Sequence, residues 1–266
     1  GKLLDHGVVY PTKPRHDVAG TKRELARLVK KDKVNTIVIG NGTASRETEE
    51  VVSEFISEQA PELRYTIVNE AGASVYSASE LASQEYPDLD VTVRGALSLG
   101  HRLQDPLAEL VKIPPQSIGV GQYQHDLDQA ELSYSLGNVV EDVVNRVGVD
   151  VNTASTSLLG YVSGITPTVA RNIVAYREEN GPFTDRTQLK KVSKLGPKAY
   201  LNAAGFLRIA DGENPLDATS VHPESYAVAN EVLKRAGVKA DELKRGGIPD
   251  IERRVGSIGE IAGELG

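Results

Sequence analysis

The sequence predicts an α/β domain followed by an all-α domain of tandem helix–hairpin–helix motifs. Three observations carry this expectation. Runs of β-branched residues alternate with amphipathic stretches up to about residue 127. That alternation stops from 128 onward. Two similar segments, each ending in a Gly- and Pro-containing turn, then follow one another between 158 and 204. The expected organisation is an α/β domain over 1–127, a hairpin domain over 128–209 and a helical C-terminal segment, partly linker, over 210–266.

In the first domain, Val8-Val9-Tyr10 reads as a short strand closed by the Pro11-Thr12-Lys13-Pro14 turn, followed by a helix from about Asp17 to Lys31. Thr36-Ile37-Val38-Ile39-Gly40 is a continuous apolar run, as expected of a strand buried on both faces. A helix from Glu47 to Gln59 and a strand from Arg64 to Val68 repeat the unit. A mixed helical stretch over 71–113 packs behind it, and Pro114-Pro115 turns into a further strand at Ile118 to Val120. Beyond 128, Leu136 to Val147 carries Val139, Val140, Val143, Val144 and Val147, a stripe expected to face a core. After Ile209 the chain is turn-rich, and Pro223 to Ala236 reads as a helix capped by Gly237.

Composition narrows the function classes. The chain has 266 residues, 39% hydrophobic and 25% charged, an ordinary globular balance. No long uncharged apolar run and no basic-then-apolar leader occur, so neither a membrane span nor a secretory signal is expected and a cytoplasmic location is the default. Zero Cys removes disulfides, thiolate zinc sites and cysteine nucleophiles, and the five His never fall at a metal-ligand spacing. Gly1 stands where an initiator Met is usual, which suggests a fragment or processed form. No cofactor is expected. Gly40-Asn41-Gly42-Thr43-Ala44-Ser45 lies between strand and helix but lacks both the Gly-Lys-Ser/Thr ending of a P-loop and the third small residue of the dinucleotide fingerprint.

The net charge of −7 disguises an asymmetry. Residues 161–209 hold eight Lys and Arg against three carboxylates, a local +5, leaving −12 for the rest. The two hairpins lie in this basic stretch. In a helix–hairpin–helix the turn presents backbone N–H groups at the N-terminus of the second helix, where the positive end of the helix dipole also points. Gly164-Ile165-Thr166 and Lys194-Leu195-Gly196 are therefore candidate anion sockets, with Ile165 and Leu195 plugging each turn into its core. Thr168 stands beside the first socket, and Arg171, Lys191, Lys194 and Lys198 supply electrostatic attraction. Such contacts address phosphate rather than base edges, so they give affinity without strong sequence preference. Phe183, Tyr200 and Phe206 read as core residues rather than stacking platforms.

Two acids are candidates for metal-dependent phosphodiester hydrolysis: Glu70, after the strand ending Ile67-Val68-Asn69, and Asp126, at the start of the helix after Ile118 to Val120. Mg²⁺ is implied only under that alternative. The structural reading gives both a capping role, Asp126 in a capping box with Gln129 and Glu70 at a helix beginning near Ala71.

Several longer stretches are distinctive: Ile39-Gly40-Asn41-Gly42-Thr43-Ala44-Ser45-Arg46-Glu47-Thr48, Asn69-Glu70-Ala71-Gly72-Ala73-Ser74-Val75-Tyr76-Ser77, and Gly119-Val120-Gly121-Gln122-Tyr123-Gln124-His125-Asp126. Val147 to Ser155 and Val221-His222-Pro223-Glu224 join them. With these the chain resembles the bacterial Tex family of transcription accessory proteins over about residues 1–240. The resemblance implies an RNase H-like, YqgF-type domain and then a helix–hairpin–helix domain. In complete members it also implies an N-terminal helical region and a C-terminal OB-fold RNA-binding domain, neither of which is expected within these residues. Family members carry an Asp-Pro-Gly stretch just upstream of the segment matching Gly1 to Asp5, so the first strand of the RNase H-like sheet, with its catalytic Asp, is expected to be absent. The function expected is non-catalytic binding of RNA or DNA, with the transcription machinery as the implied protein partner and no membrane. The alternatives are a metal-dependent nuclease or junction resolvase using Glu70 and Asp126, and a protein-interaction scaffold.

Overall fold

A helix from Val18 to Asp32 (α1) opens the regular structure, with the Asp17 carboxylate accepting from the Gly20 N–H at 2.7 Å as its N-cap. The computed structural model describes residues 3–119, 121–238, 240–243, 248, 251–255 and 263. They fall into two units, 1–128 and 129–266.

In the first unit, β1 (Thr36–Gly40) and β2 (Arg64–Val68) pair in parallel, Ile37 opposite Tyr65 and Ile39 opposite Ile67. Parallel neighbours need a crossover, and α2 (Ser45–Gln59) provides it. Phe55, Ala60 and Leu63 form a buried cluster against Leu25, Ala26, Val29 and Ile37, so the apolar stripe of α1, the crossover helix and β1 share one core. The expectation of a strand buried on both faces holds only for Ile39. The other β1 residues are half-buried, and Tyr65 and Ile67 on β2 are exposed, because among the described residues the sheet has just these two strands.

Val8 to Tyr10 form no strand. They are exposed, and among the described residues no strand pairs with them. The strand expected at Ile118 to Val120 is likewise not formed: Ile118 closes a 3₁₀ turn at Pro115–Ser117, where two prolines deny ladder donors, and Val120 lies outside the described residues.

Short helices α3 (Ala73–Ser77), α4 (Glu80–Glu85) and α6 (Pro106–Leu110) surround α5 (Val91–Gln104). The buried face of α5 carries Arg94, Ser98 and Arg102 rather than an apolar stripe. Arg94 donates to the Tyr86 carbonyl at 3.0 Å and the Ser83 hydroxyl at 2.8 Å, and Arg102 to the Asn69 carbonyl at 2.7 Å. These side chains satisfy loop carbonyls that apolar groups would leave unpaired.

The second unit begins with α7 (Gln129–Val147). Its valine stripe is not a core face throughout. Val144 is fully buried, but Val139, Val143 and Val147 are exposed. The unit is also not wholly α. β3 (Val149–Asp150) and β4 (Leu207–Arg208) form a short parallel pair that ties the end of the hairpin array back to its beginning. Between them lie α8 (Thr156–Leu159), α9 (Pro167–Asn180), a 3₁₀ stretch at Arg186–Lys191 and α10 (Pro197–Ala204). The two hairpins repeat at an offset of thirty residues. Leu159 and Leu189, Val162 and Val192, Ile165 and Leu195, and Ile173 and Ala203 are buried pairs in corresponding places.

The chain after 210 packs into this second unit. The Arg186 guanidinium donates to the carbonyls of Leu207, Thr219 and Val221 and to the Tyr226 hydroxyl, at 2.6–2.8 Å. Asp217 accepts from the Arg186 N–H and from Tyr226. The helix expected over Pro223 to Ala236 splits into a 3₁₀ turn at Pro223–Ser225 and α11 (Tyr226–Arg235), followed by α12 (Ala240–Leu243) and α13 (Ile251–Val255). Much of the tail beyond 245 lies outside the described residues. Among the described residues no helix is long and apolar enough to cross a membrane.

Candidate nucleic-acid interface

The two turns have the same local construction. In the first, Val162 and Ile165 are buried and the Ile165 N–H returns to the Val162 carbonyl at 2.9 Å. In the second, Val192 and Leu195 do the same at 3.2 Å. This tight bend forces the residue before the plug into the left-handed region, Gly164 at φ +84° and Lys194 at φ +65°. The plugs hold each turn from beneath, leaving Gly164, Thr166, Lys194 and Gly196 exposed above. Among the described residues the backbone N–H groups of these four find no intramolecular acceptor.

A long helix follows each turn, with Pro at its first position. On α9 the Thr166 hydroxyl accepts from the Val169 N–H at 3.3 Å. On α10 Gly196 has no side chain to do so, and the first-turn amides are more open. Arg171, Lys191 and Lys198 are exposed, and half-buried Thr168 accepts a 3.3 Å bond from Arg171. The turns also clasp each other's helices. Asn172 of α9 donates to the Ser193 carbonyl at 2.7 Å, while a Cβ on Gly164 would come within 2.9 Å of the Asn202 Cβ on α10. Asn172 and Asn202 stand thirty residues apart, at equivalent places in the repeat.

The local charge of +5 overstates the available cations. Arg186 is fully buried, and Arg177 donates inward to the Val151 carbonyl at 2.6 Å. Arg208 is half-buried, its Nε without a partner among the described residues. Burial pushes both Arg177 and Arg208 below the ordinary arginine value. Lys190 lies 4.9 Å above the Tyr200 ring. Arg171, Lys191, Lys194 and Lys198 remain exposed, as the sequence suggests. The exposed carboxylates Glu178 and Glu179 sit at the far end of α9 from Thr166.

Glu70 and Asp126 are both exposed. Glu70 is exposed, and its carboxylate lies over the Gly40-Asn41-Gly42 turn, where a Cβ on Gly40 or Gly42 would come within 2.5 Å or 2.0 Å of its oxygens. Its backbone N–H donates to the Asn41 side chain at 2.9 Å. The helix beyond starts at Ala73 with Gly72 as N-cap, so the Glu70 side chain is not its cap. Asp126 is exposed at the end of a 3₁₀ turn, Gln124–Asp126, and α7 begins only at Gln129, too late for the expected capping box. Among the described residues no group of three or more His, Cys, Asp or Glu is placed to hold a metal ion. The cation nearest this question is Arg102, buried beneath Asn69 and electrostatically coupled to Glu109 and Glu70.

Comparison with known proteins assigns residues 1–104 to the Tex protein YqgF-like domain, 144–208 to a helix-hairpin-helix motif and 214–251 to an HHH domain. The last of these lies within the helical C-terminal segment that the sequence suggests over 210–266. Within it, Gly237 at φ +63° ends α11, and the Val238 N–H returns to the Leu233 carbonyl at 3.0 Å. Protein tex of Bordetella pertussis is 58% identical over 243 residues, covering 91% of this chain and 30% of that protein. Transcriptional accessory protein Tex of Neisseria gonorrhoeae is 56% identical over 245 residues, 91% of this chain and 32% of that protein. Human S1 RNA-binding domain-containing protein 1 is 41% identical over 280 residues, 86% of this chain and 28% of that protein. The chain thus spans less than a third of the length of these relatives. With a YqgF-like domain followed by helix-hairpin-helix domains, and this degree of identity to proteins named Tex, the chain belongs to the Tex family.

Proposed function

We propose that this chain is a non-catalytic, nucleic-acid-binding part of a transcription accessory protein, gripping RNA or DNA through backbone phosphates without regard to base sequence. The reading rests on one observation above all: two turns with the same backbone bend, clasped together, each presenting unpartnered N–H groups at the start of a helix, with exposed Arg171 on the first helix and exposed Lys194 and Lys198 at the second turn. Main-chain amides and Lys or Arg side chains there match phosphate oxygens. They have nothing that distinguishes one base pair from another. The α/β unit serves as scaffold or docking surface, the transcription machinery is the protein partner, and no cofactor takes part.

Charge reversal tests it. Lys194→Glu with Lys198→Glu should weaken binding to labelled RNA and DNA and lower the slope of log affinity against log salt by about one for each phosphate no longer neutralised. Unchanged affinity across the titration would favour the scaffold alternative. Cleavage of the same strands with Mg²⁺ or Mn²⁺, abolished by Glu70→Gln, would establish the nuclease.

A further inference from the structure

A recess of about 400 Å³ opens beside the first hairpin turn, lined by Asn145, Arg146, Asn202, Phe206, Ser220 and His222. We propose that this recess receives one unpaired nucleobase of a strand whose phosphate is held by the adjoining turn. The inference rests on the phosphate-gripping reading and adds to it a preference for single strands.

Position is the first argument. Two lining residues touch the first turn. Asn145 brackets it, donating to the Tyr161 carbonyl at 3.0 Å and accepting from the Ser163 N–H at 3.0 Å. Asn202 packs directly under Gly164. A nucleotide whose phosphate rests on the Gly164 and Thr166 amides therefore has its base beside the recess.

The lining chemistry is the second. The Asn145 carboxamide is fully engaged, whereas Asn202 is exposed and its carboxamide has no partner among the described residues. A free carboxamide offers a donor and an acceptor side by side, the pattern that pairs with a base edge. Arg146 is exposed and likewise without a partner there, offering a planar cation for stacking. Phe206, expected from sequence to be core like Phe183 and Tyr200, is instead half-buried on the recess wall, while those two are buried. His222 forms part of the wall, its Nε2 held 2.9 Å from the Leu201 carbonyl, which gives the Val221-His222-Pro223-Glu224 stretch a role in shaping this site. The volume falls at the small end of the range for ligand pockets, about 300–1,000 Å³, as suits one base rather than a whole nucleotide.

Paired bases cannot enter. Their edges are committed and stacked within the helix, so the recess adds affinity only for an unpaired strand.

The test uses the whole 266-residue chain and fluorescein-labelled DNA in three forms: a single strand, the same strand with abasic positions throughout, and the duplex. RNA single strand and duplex run in parallel. The parent chain should bind the intact single strand about tenfold more tightly than the abasic one. Asn202→Ala and Phe206→Leu should each collapse that ratio toward one while leaving duplex affinity and the circular dichroism spectrum unchanged. Intact and abasic strands bound equally by the parent, or a ratio that survives both substitutions, overturns the proposal. Lys194→Glu with Lys198→Glu acts on all forms alike and preserves the ratio. Failure of the phosphate reading thus shows as unchanged affinity in that double variant, and failure of the recess as a parent ratio of one.

Discussion

Arg186 adds a positive charge to a count made along the chain, yet its guanidinium lies in the interior with four hydrogen bonds to three carbonyls and a tyrosine hydroxyl. Burial and the neighbouring Asp217 push the Tyr226 hydroxyl above its ordinary pKa, keeping it a donor. The cluster joins the second hairpin to the segment after 210. Arg186→Met should cost about 3–5 kcal/mol, because it leaves the carbonyls of Leu207, Thr219 and Val221 and the Tyr226 hydroxyl without their charged donor. The urea midpoint of the chain measures this, and a midpoint unchanged from the parent would show the cluster to be dispensable. Nothing in a linear sequence separates such an arginine from an exposed one, since both have the same side chain and similar neighbours. The exposed cations Arg171, Lys194 and Lys198 were legible because they lie near turns whose pattern was itself legible.

At the scale of elements, the two hairpins adopt one backbone with different residues at the left-handed position, and that difference has opposite consequences. Lys194 holds φ +65°, a conformation costly to any side chain with a Cβ. Lys194→Gly should raise stability by about 0.5–1 kcal/mol while weakening nucleic-acid binding, so thermal melting and affinity move in opposite directions. Gly164→Ala should do the reverse to stability. The added Cβ would enter the left-handed region and press on the Asn202 Cβ and the Ala199 carbonyl, at 2.9 and 3.1 Å. A loss above about 1 kcal/mol is expected from the same melting measurement. Periodicity located α1, α2, β1, β2 and both hairpins because those elements obey their local patterns. It misplaced a strand at Val8 to Tyr10 and at Ile118, since a strand exists only where another strand accepts its hydrogen bonds. It misjudged α7 because valines at helical spacing reveal a stripe, not whether anything covers it.

For the molecule as a whole, stability should follow pH through groups at its surface and in its polar interior. The Lys31 ammonium and Arg27 guanidinium hold Asp5 well below the usual carboxylate range, Arg27 lowers Glu24, and the N–H groups of Val93 and Thr92 lower Asp90. A carboxyl depressed in the folded state stabilises above its unfolded pKa of about 4, and that contribution disappears as pH falls through the folded value. Tyr76 and Tyr226 are raised, so their contribution is intact below the unfolded pKa of about 10 and is lost as pH rises beyond it. A plateau in melting temperature between about pH 5 and about pH 9, falling on both sides, is expected. A melting temperature that rises on acidification below about pH 4 would contradict it.

The sequence by itself determined the division into an α/β part and a hairpin part, the two hairpin turns and the family, because each depends on residues adjacent along the chain: a Gly or Lys before an apolar plug, Pro opening a helix, a distinctive run. Only the tertiary structure decided which cations face solvent, that Glu70 rests over a glycine turn, and that Asn202 and Phe206 line a recess beside the first turn. Those outcomes depend on which distant segments meet, and the free energy of burying or exposing a polar group is set by that meeting rather than by the residue alone.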